Sequence, residues 1–468
     1  MNRHLVLALA AAGSVLSGCA LPPRGNAAPP TLELPAATTA PVLVALDWWT
    51  SFKDPTLDVL MDEALRGNTD LARAVARIDE SRALLALSRS DALPSVTADL
   101  TGSRTRRTET GSNNQGPATS SSVRATLNAS YEIDLWSRLA SASAAARAEL
   151  LALSSTRDAL VGMICVQVVQ SYAALQSLDE QQRVYASALA AQREGLRLQR
   201  LRAAAGDLGE LDLRQLEAEL ATNEGQLARL ERSRGETERA LAALLGRSPR
   251  ALIERAVTRG APPSAAPTLA AVPEGLPSDL LQHRPDVQAA EARLAAAGAR
   301  VDAVRAAYFP RIALTAALGR ESQDLSRLFD GPSLVWNLVA SATQPIWGAG
   351  RLDAQSEVAR ARQRLAELDY RDAVAAAFRD ARDAFGARRE TEQSLALAEQ
   401  RSTALQRAAD LTRLRADGGE SSRLQLLDAE RAALAAQAQR TDARRAAMVA
   451  QADLFRALGG GWVATPTR

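Results

Sequence analysis

Cysteine, histidine, lysine and the aromatics are all scarce in this 468-residue chain, and each scarcity removes a class of function. The two cysteines, Cys19 and Cys165, supply no disulfide framework. The two histidines, His4 and His283, form no Cys/His cluster at metal-ligand spacing. His283 stands just before Arg284-Pro285, where a break in the chain is its expected setting, and no nucleophile has a base beside it in sequence. Gly459-Gly460-Gly461 lacks the strand-to-helix context of a phosphate loop. Catalysis is therefore not expected, nor is any metal or diffusible cofactor. Lys53 is the single lysine; the remaining basic charge is arginine, interleaved with acids to a net charge of +2. Interleaving of this kind makes solvated helix faces, not a basic stripe, and speaks against nucleic acid as a partner. Beyond the first twenty residues no run of eighteen apolar residues occurs, so a membrane crossing would fall to β-strands. Aromatics make up only 4% of the chain while alanine and leucine dominate the apolar 47%, a bias towards long, closely packed helices.

The most informative feature present is a duplication. Arg200-Leu201-Arg202-Ala203, Gly206, Leu211, Leu213 and Glu217 return 213 residues later as Arg413-Leu414-Arg415-Ala416, Gly419, Leu424, Leu426 and Glu430. Arg138-Leu139 and Arg351-Leu352 keep the same offset, as do Leu245-Gly246 and Leu458-Gly459. Nearer the start of each copy the offset is 216, as in Asp70 with Asp286 and Pro94 with Pro310. Two copies are too few for a solenoid, so this is a duplicated domain.

Each copy reads as helix, two strands, a very long helix, a tight turn and a returning helix. Val123, Ala125, Leu127, Ala129, Tyr131 and Ile133 alternate with Arg124, Thr126, Asn128, Ser130, Glu132 and Asp134, which predicts a strand with one apolar and one wet face. A first strand begins at Val96, a polar loop spans 104–122, and the second copy repeats the pattern from Ile312 and over Leu334–Thr343. Four such strands are either two soluble hairpins packed on helices or part of a membrane barrel; they are too few to close one, since closure takes roughly eight. In the barrel case their edges need partners from other chains. Leu139–Arg202 contains no proline, and at 1.5 Å per residue such a helix is roughly 95 Å long. Leu352–Arg415 matches it. The returning helix of copy one carries Leu213, Leu216, Leu220, Asn223, Leu227, Leu230, Arg234, Thr237, Leu241 and Leu244 at heptad spacing, a coiled-coil seam.

At the N-terminus, Arg3 and His4 precede an apolar run from Leu5 to Leu16 that is too short to span a bilayer but suits a signal peptide. It ends in Leu16-Ser17-Gly18-Cys19, which resembles a bacterial lipobox and implies cleavage before Cys19 and acylation of that residue. An ordinary signal peptide with a chance cysteine is the alternative. Ala20 in place of Asp is compatible with sorting to the outer membrane. The chain thus divides into a signal peptide (1–18), Cys19 with an extended Pro-rich leader (19–50), and a first repeat (51–248) holding a strand pair (93–133) and a hairpin (139–246). A Pro-rich linker (249–275), a second repeat (276–459) with its strand pair (309–345) and hairpin (352–459), and a tail (460–468) complete it. The fold class read from these residues is mainly α and internally duplicated, with the four strands in soluble hairpins or in a transmembrane β-barrel portion.

Five features stand out beside the repeat: the lipobox, Leu276-Pro277-Ser278-Asp279-Leu280-Leu281 with Arg284-Pro285-Asp286, Tyr308-Phe309-Pro310, Pro345-Ile346-Trp347 with Gly350-Arg351-Leu352, and Ala457-Leu458-Gly459-Gly460-Gly461-Trp462. With these motifs the chain resembles the TolC family of outer-membrane channel proteins, in its lipoprotein branch of drug-efflux outer-membrane factors. The resemblance implies a homotrimer in outer-membrane lipid, with four strands per chain forming one twelve-stranded barrel and the helices forming a tunnel through the periplasm. The implied function is the passive exit duct of a tripartite efflux system, reached through a periplasmic adaptor (membrane fusion) protein from an inner-membrane transporter of the resistance-nodulation-division type. It also implies adaptor contacts at the hairpin tips (Arg202, Gly206, Leu211, Arg415, Gly419) and a periplasmic gate at Leu424, Asp428 and Arg431, with the lipid on Cys19 as the one attached group. The tip residues also have a local reading: Gly permits the turn and Arg satisfies carbonyls at the helix end. Asp428 and Arg431 likewise read as a surface pair near a helix start. Their copy-one equivalents, Gln215 and Ala218, are uncharged, which favours a role special to the second hairpin. A structural periplasmic coiled-coil lipoprotein and the exit duct of a peptide or protein secretion system are the competing functions.

Overall fold

The computed structural model describes residues 47–106, 119–206, 209–254, 257–260, 284–348 and 350–460. The signal segment, Cys19, the leader up to residue 46, Leu276–Leu281, His283 and the tail from Gly461 lie outside the described residues. In chain order the elements are α1 (Pro55–Gly67), α2 (Thr69–Ser90), β1 (Ser95–Arg106), β2 (Thr119–Ile133), α3 (Arg138–Ala204), α4 (Glu210–Leu244), α5 (Pro249–Glu254), α6 (Pro285–Ala306), β3 (Arg311–Ser322), β4 (Leu334–Thr343), α7 (Arg351–Asp417) and α8 (Arg423–Ala457). The chain forms two compact units, described in turn.

The first unit comprises Arg77–Ser154 and Ala289–Arg371 and holds one antiparallel sheet in the order β1-β2-β3-β4. Register places Ala98, Leu127, Leu318 and Trp336 side by side, and Leu100, Ala125, Arg320 and Leu334 in the next row. Because side chains alternate across a strand, one face carries Val96, Leu100, Leu127, Leu318, Trp336 and Leu338, all exposed. The other face carries Asp99, Arg124, Asn128, Glu132 and Glu321. β1 and β2 run further into the expected polar loop than their apolar alternation does, pairing Arg104 with Ser121 and Arg106 with Thr119. A ladder needs only backbone partners, so it outlasts the apolar pattern. At the start of α3, Ser137 adopts a left-handed φ of 61°, and its counterpart 213 residues on is Gly350 at 77°.

The second unit draws on the described residues up to Ala76, on Ser155–Gln288 and on Asp372–Arg468. Its core includes a helix the periodicity did not mark. Asp54 caps α1 by accepting from the Thr56 and Leu57 amides (2.9 and 3.3 Å), Pro55 opens the first turn, and Leu57, Leu60, Met61 and Ala64 form the buried stripe. Just before it, Trp48 stacks on Phe455 at 4.9 Å, so the expected leader is packed chain by residue 48 and not extended to residue 50. An eighteen-residue window of α3 has a mean hydropathy of 1.4, enough by length and composition to cross a membrane. In the same helix Ile164, Val168, Val169, Tyr172 and Leu175 are buried in this core, which accounts for the helix's apolar character. Cys165 is buried there as a small apolar side chain.

Both copies close the end of their returning helix in the same way. The Asn68 amide donates to the Leu244 carbonyl at 2.9 Å, and Arg284 donates to the Ala457 carbonyl at 2.9 Å. Donors and acceptors keep the 216 and 213 offsets. Arg284, only 3% exposed, also meets Asp286 and Asp380, so a buried cation is neutralised on both sides. Gly246 and Gly459 end α4 and α8 at φ 72° and 77°, as expected of glycines after a helix C-terminus.

Candidate functional site: the helical tips and their closing contacts

The two hairpins reverse at Gly206 and Gly419, with φ of 82° and 77°, and a side chain at either position would meet open space. Backbone conformation, not crowding, therefore calls for glycine there. Arg202 lies in the last turn of α3, and Arg415 in the last turn of α7, where its carbonyl accepts the Glu420 amide at 2.8 Å. The second turn is the better capped: Ser422 and Gln425 form a reciprocal capping box at the start of α8, while Gly209 offers no side chain to α4. Each hairpin is pinned across its two helices by one equivalent ion pair, Arg200 with Glu217 at 3.0 Å and Arg413 with Glu430 at 2.9 Å. Arg200 and Arg214 hold the Glu217 carboxyl below the usual carboxylate range.

Around both tips, leucines face solvent in matching positions. Leu198, Leu201 and Leu211 are exposed in the first hairpin, and Leu411, Leu414 and Leu424 are exposed 213 residues later. Three leucines are thus kept in water at the same positions of both hairpins.

Leu424, Asp428 and Arg431 share one face of α8, with Asp428 and Arg431 3.6 Å apart. The stronger partner of Arg431 is Glu219 of α4, whose carboxylate accepts from the guanidinium Nε at 2.7 Å. Glu219 is 7% exposed and also accepts from Asn223 at 3.0 Å, and Asn223 in turn donates to Gln192 at 3.1 Å. Glu219 raises the Arg431 pKa above its ordinary value by hydrogen bonding and by charge, and Asp428 adds to it. Below this contact Leu427 packs with Leu196 and Leu216, two of them from the first hairpin. The sequence reading missed Glu219. Its signal is an exchange between copies: Ala218-Glu219 in the first corresponds to Arg431-Ala432 in the second, one charge of each sign.

At the foot of the sheet, Trp136 stacks on Phe309 at 4.6 Å and donates to the Pro310 carbonyl at 2.9 Å, while Trp347 stands 86% exposed. Tryptophans of this kind sit where a membrane meets water.

The sequence profile described as outer membrane efflux protein matches residues 60–247 and 276–460, one match to each repeat. The chain belongs to this family. Among curated outer membrane efflux proteins it is 33% identical to the pyoverdine export outer membrane protein OpmQ of Pseudomonas putida, over the full length of both chains. It is 32% identical to the toluene efflux pump outer membrane protein TtgF of the same species, covering 98% of this chain and 97% of that one. Its structure superimposes on the CmeC outer membrane channel of Campylobacter jejuni with a TM-score of 0.87 at 25% identity, covering 93% of this chain and 95% of that chain. An outer membrane efflux protein is an outer-membrane channel component of a pump, and the alternating strands are accordingly its membrane portion.

Proposed function

We propose that this chain is one third of a homotrimeric exit duct, anchored by acyl chains on Cys19, which conducts solutes passively from a periplasmic adaptor and an inner-membrane transporter of the resistance-nodulation-division type. The carrying observation is the open sheet: β1 and β4 each have one edge without a strand partner among the described residues. An open edge in lipid leaves backbone groups unsatisfied, whereas three copies joined edge to edge give twelve strands and a closed wall. A coiled-coil spacer lipoprotein would have no use for exposed leucines and tryptophan on one face of a sheet. The duct needs no cofactor and no catalytic group. Adaptor contacts fall at Arg202, Gly206, Leu211, Arg415 and Gly419, where the repeated leucines lie.

The gate is formed by Leu424, Asp428 and Arg431, with Glu219 as the fixed partner of Arg431. A charge-assisted contact of this exposure is worth about 1–3 kcal/mol, strong enough to favour a closed state and weak enough for a docked adaptor to release. Substrate identity stays with the transporter; pyoverdine and toluene appear in the relatives' names. The test is assembly. Purified mature protein should run as a trimer in mild detergent with strong helical and β circular dichroism, and Cys19→Ser should lose the acyl mass while keeping the trimer. A monomer without β signal would overturn the reading.

A further inference from the structure

Away from the tips and gate, a cavity of about 170 Å³ lies between α3 and α8. Its polar lining is Gln176, Ser177, Glu180 and Arg183 from α3 and Arg440, Thr441, Arg444 and Arg445 from α8. Four arginines thus line one cavity with a single carboxylate, Glu180, among its lining residues. Glu180 is spent on Arg183, which it accepts at 2.7 and 3.0 Å. Its carboxyl is held below the usual range by Arg183 first, with Arg440 and Arg444 contributing through charge. The other carboxylates nearby stand at the limit of ion pairing: Glu399 is 3.9 Å from Arg444, and Asp442 is 3.8 Å from Arg445. Asp442 is instead held by Ser177 and Gln181, at 3.2 and 3.0 Å. No hydrogen bond from the side chain of Arg440, Arg444 or Arg445 is made among the described residues.

The duplication supplies an internal control. At the 213 offset Arg183 corresponds to Ala396 and Glu180 to Gln393, while Arg440, Thr441 and Arg444 correspond to Leu227, Ala228 and Glu231; of the cluster only Arg445 keeps a basic counterpart, Arg232. The equivalent positions of α7 and α4 thus carry no such cluster, so the duplication itself does not impose it. Arg440 has no ion pair among the described residues and Arg444 and Arg445 are only weakly paired, so this partly enclosed space favours an anion, to which each can give a charge-assisted, two-point hydrogen bond. The volume is well below the roughly 300 Å³ at which drug-sized sites begin, so it selects a small ligand.

We propose that this cavity is a binding site for a small oxyanion, either a free phosphate-like ion or the anionic group of a passing solute, held by the guanidinium groups of Arg440, Arg444 and Arg445. Arg183 and Glu180 close one side of it, and Glu180 sets how much positive charge the ligand meets. The site is independent of the gate; only its occupation by a passing solute rests on the duct reading.

The test is calorimetric titration of inorganic phosphate into the full mature protein in detergent, at low chloride. Saturable binding is expected in the wild type. Arg440→Gln with Arg444→Gln should weaken it by roughly tenfold or more, the effect of losing charge-assisted hydrogen bonds. Glu180→Gln should act in the opposite direction and tighten it, an effect that a merely damaged fold cannot give. An organic phosphate too large for the cavity separates the two sources: competition with phosphate identifies a transit site for solutes, and its failure to compete identifies an ion site. Absence of saturable phosphate binding in the wild type, or binding unchanged in a correctly assembled double variant, overturns the proposal.

Discussion

Ser137 holds a left-handed φ of 61° where the equivalent residue of the second copy is Gly350 at 77°. A side chain in that region costs about 1–2 kcal/mol, and glycine loses part of this advantage to the entropy of its unfolded chain. Ser137→Gly should therefore stabilise the junction between β2 and α3 by about 0.5–1 kcal/mol, and Gly350→Ser should cost a similar amount. Thermal unfolding of the two variants beside the wild type reads the difference; a lower midpoint for Ser137→Gly would mean that the serine's own contacts outweigh its strain. Asp158 is the second residue held against its preference. Burial pushes its carboxyl up to about 6 from an ordinary 3.8, although Arg157 lies 3.2 Å away without hydrogen-bond geometry. The folded state therefore binds more protons than the unfolded state between those two values. The cost of burying the charge is absent below about pH 4, grows as pH rises through the window and is complete above about pH 6. Asp158 keeps 21% of its side chain exposed, so the cost is about 1 kcal/mol after allowance for solvent. Asp158→Asn should raise the unfolding midpoint at pH 7.5 and leave it unchanged near pH 4. An equal shift at both pH values would assign the effect to packing.

At the scale of elements, the hairpin tips combine a duplicated ion pair with a repeated surface. Arg200–Glu217 and Arg413–Glu430 hold the two hairpins in the same geometry, and that geometry presents Leu201 and Leu414 to water. Replacing an exposed leucine by aspartate takes nothing out of a core, so Leu201→Asp with Leu414→Asp should leave assembly and thermal stability within about 0.5 kcal/mol of wild type. If the tips receive the adaptor's apolar side chains, crosslinking to the adaptor and efflux should fall together in this variant. Crosslinking at the wild-type level would move the adaptor elsewhere. The hairpins were legible in the sequence because their signals are local and periodic: proline-free stretches, heptads and terminal glycines. The strands were legible from alternation, except at their polar ends, where only the backbone ladder continues. Helix α1 escaped because its thirteen residues follow a proline-rich leader, and nothing local reveals that Leu57 and Met61 pack with Tyr172. Glu219 escaped for a similar reason: its partner is 212 residues away, and only packing between hairpins brings them together.

At the scale of the whole molecule, the duplication gives a duct two nearly equivalent hairpins per chain, so any closing device must break that equivalence. Arg431 and Glu219 do so, since their counterparts Ala218 and Ala432 can form no such pair. In the proposed trimer the contact occurs three times, and each copy fastens the second hairpin to the first. Asp428 is the weaker partner, 3.6 Å from Arg431 with most of its side chain in water. Removing Arg431 strands the buried Glu219 carboxylate against Asn223, and removing Glu219 leaves Arg431 to swing into solvent. Arg431→Ala with Asp428→Ala should loosen the closed end, so that single trimers in planar bilayers conduct several-fold more than wild type. Glu219→Gln alone should give part of that increase while keeping the hydrogen bond from Asn223. Coupling decides whether the two residues act as one lock: the combined effect of Glu219→Gln and Arg431→Ala should be clearly less than the product of the single effects, because either change already breaks the shared contact. Effects that simply multiply would separate Glu219 from the gate, and unchanged conductance in an intact Arg431→Ala, Asp428→Ala trimer would place the constriction elsewhere along the tunnel.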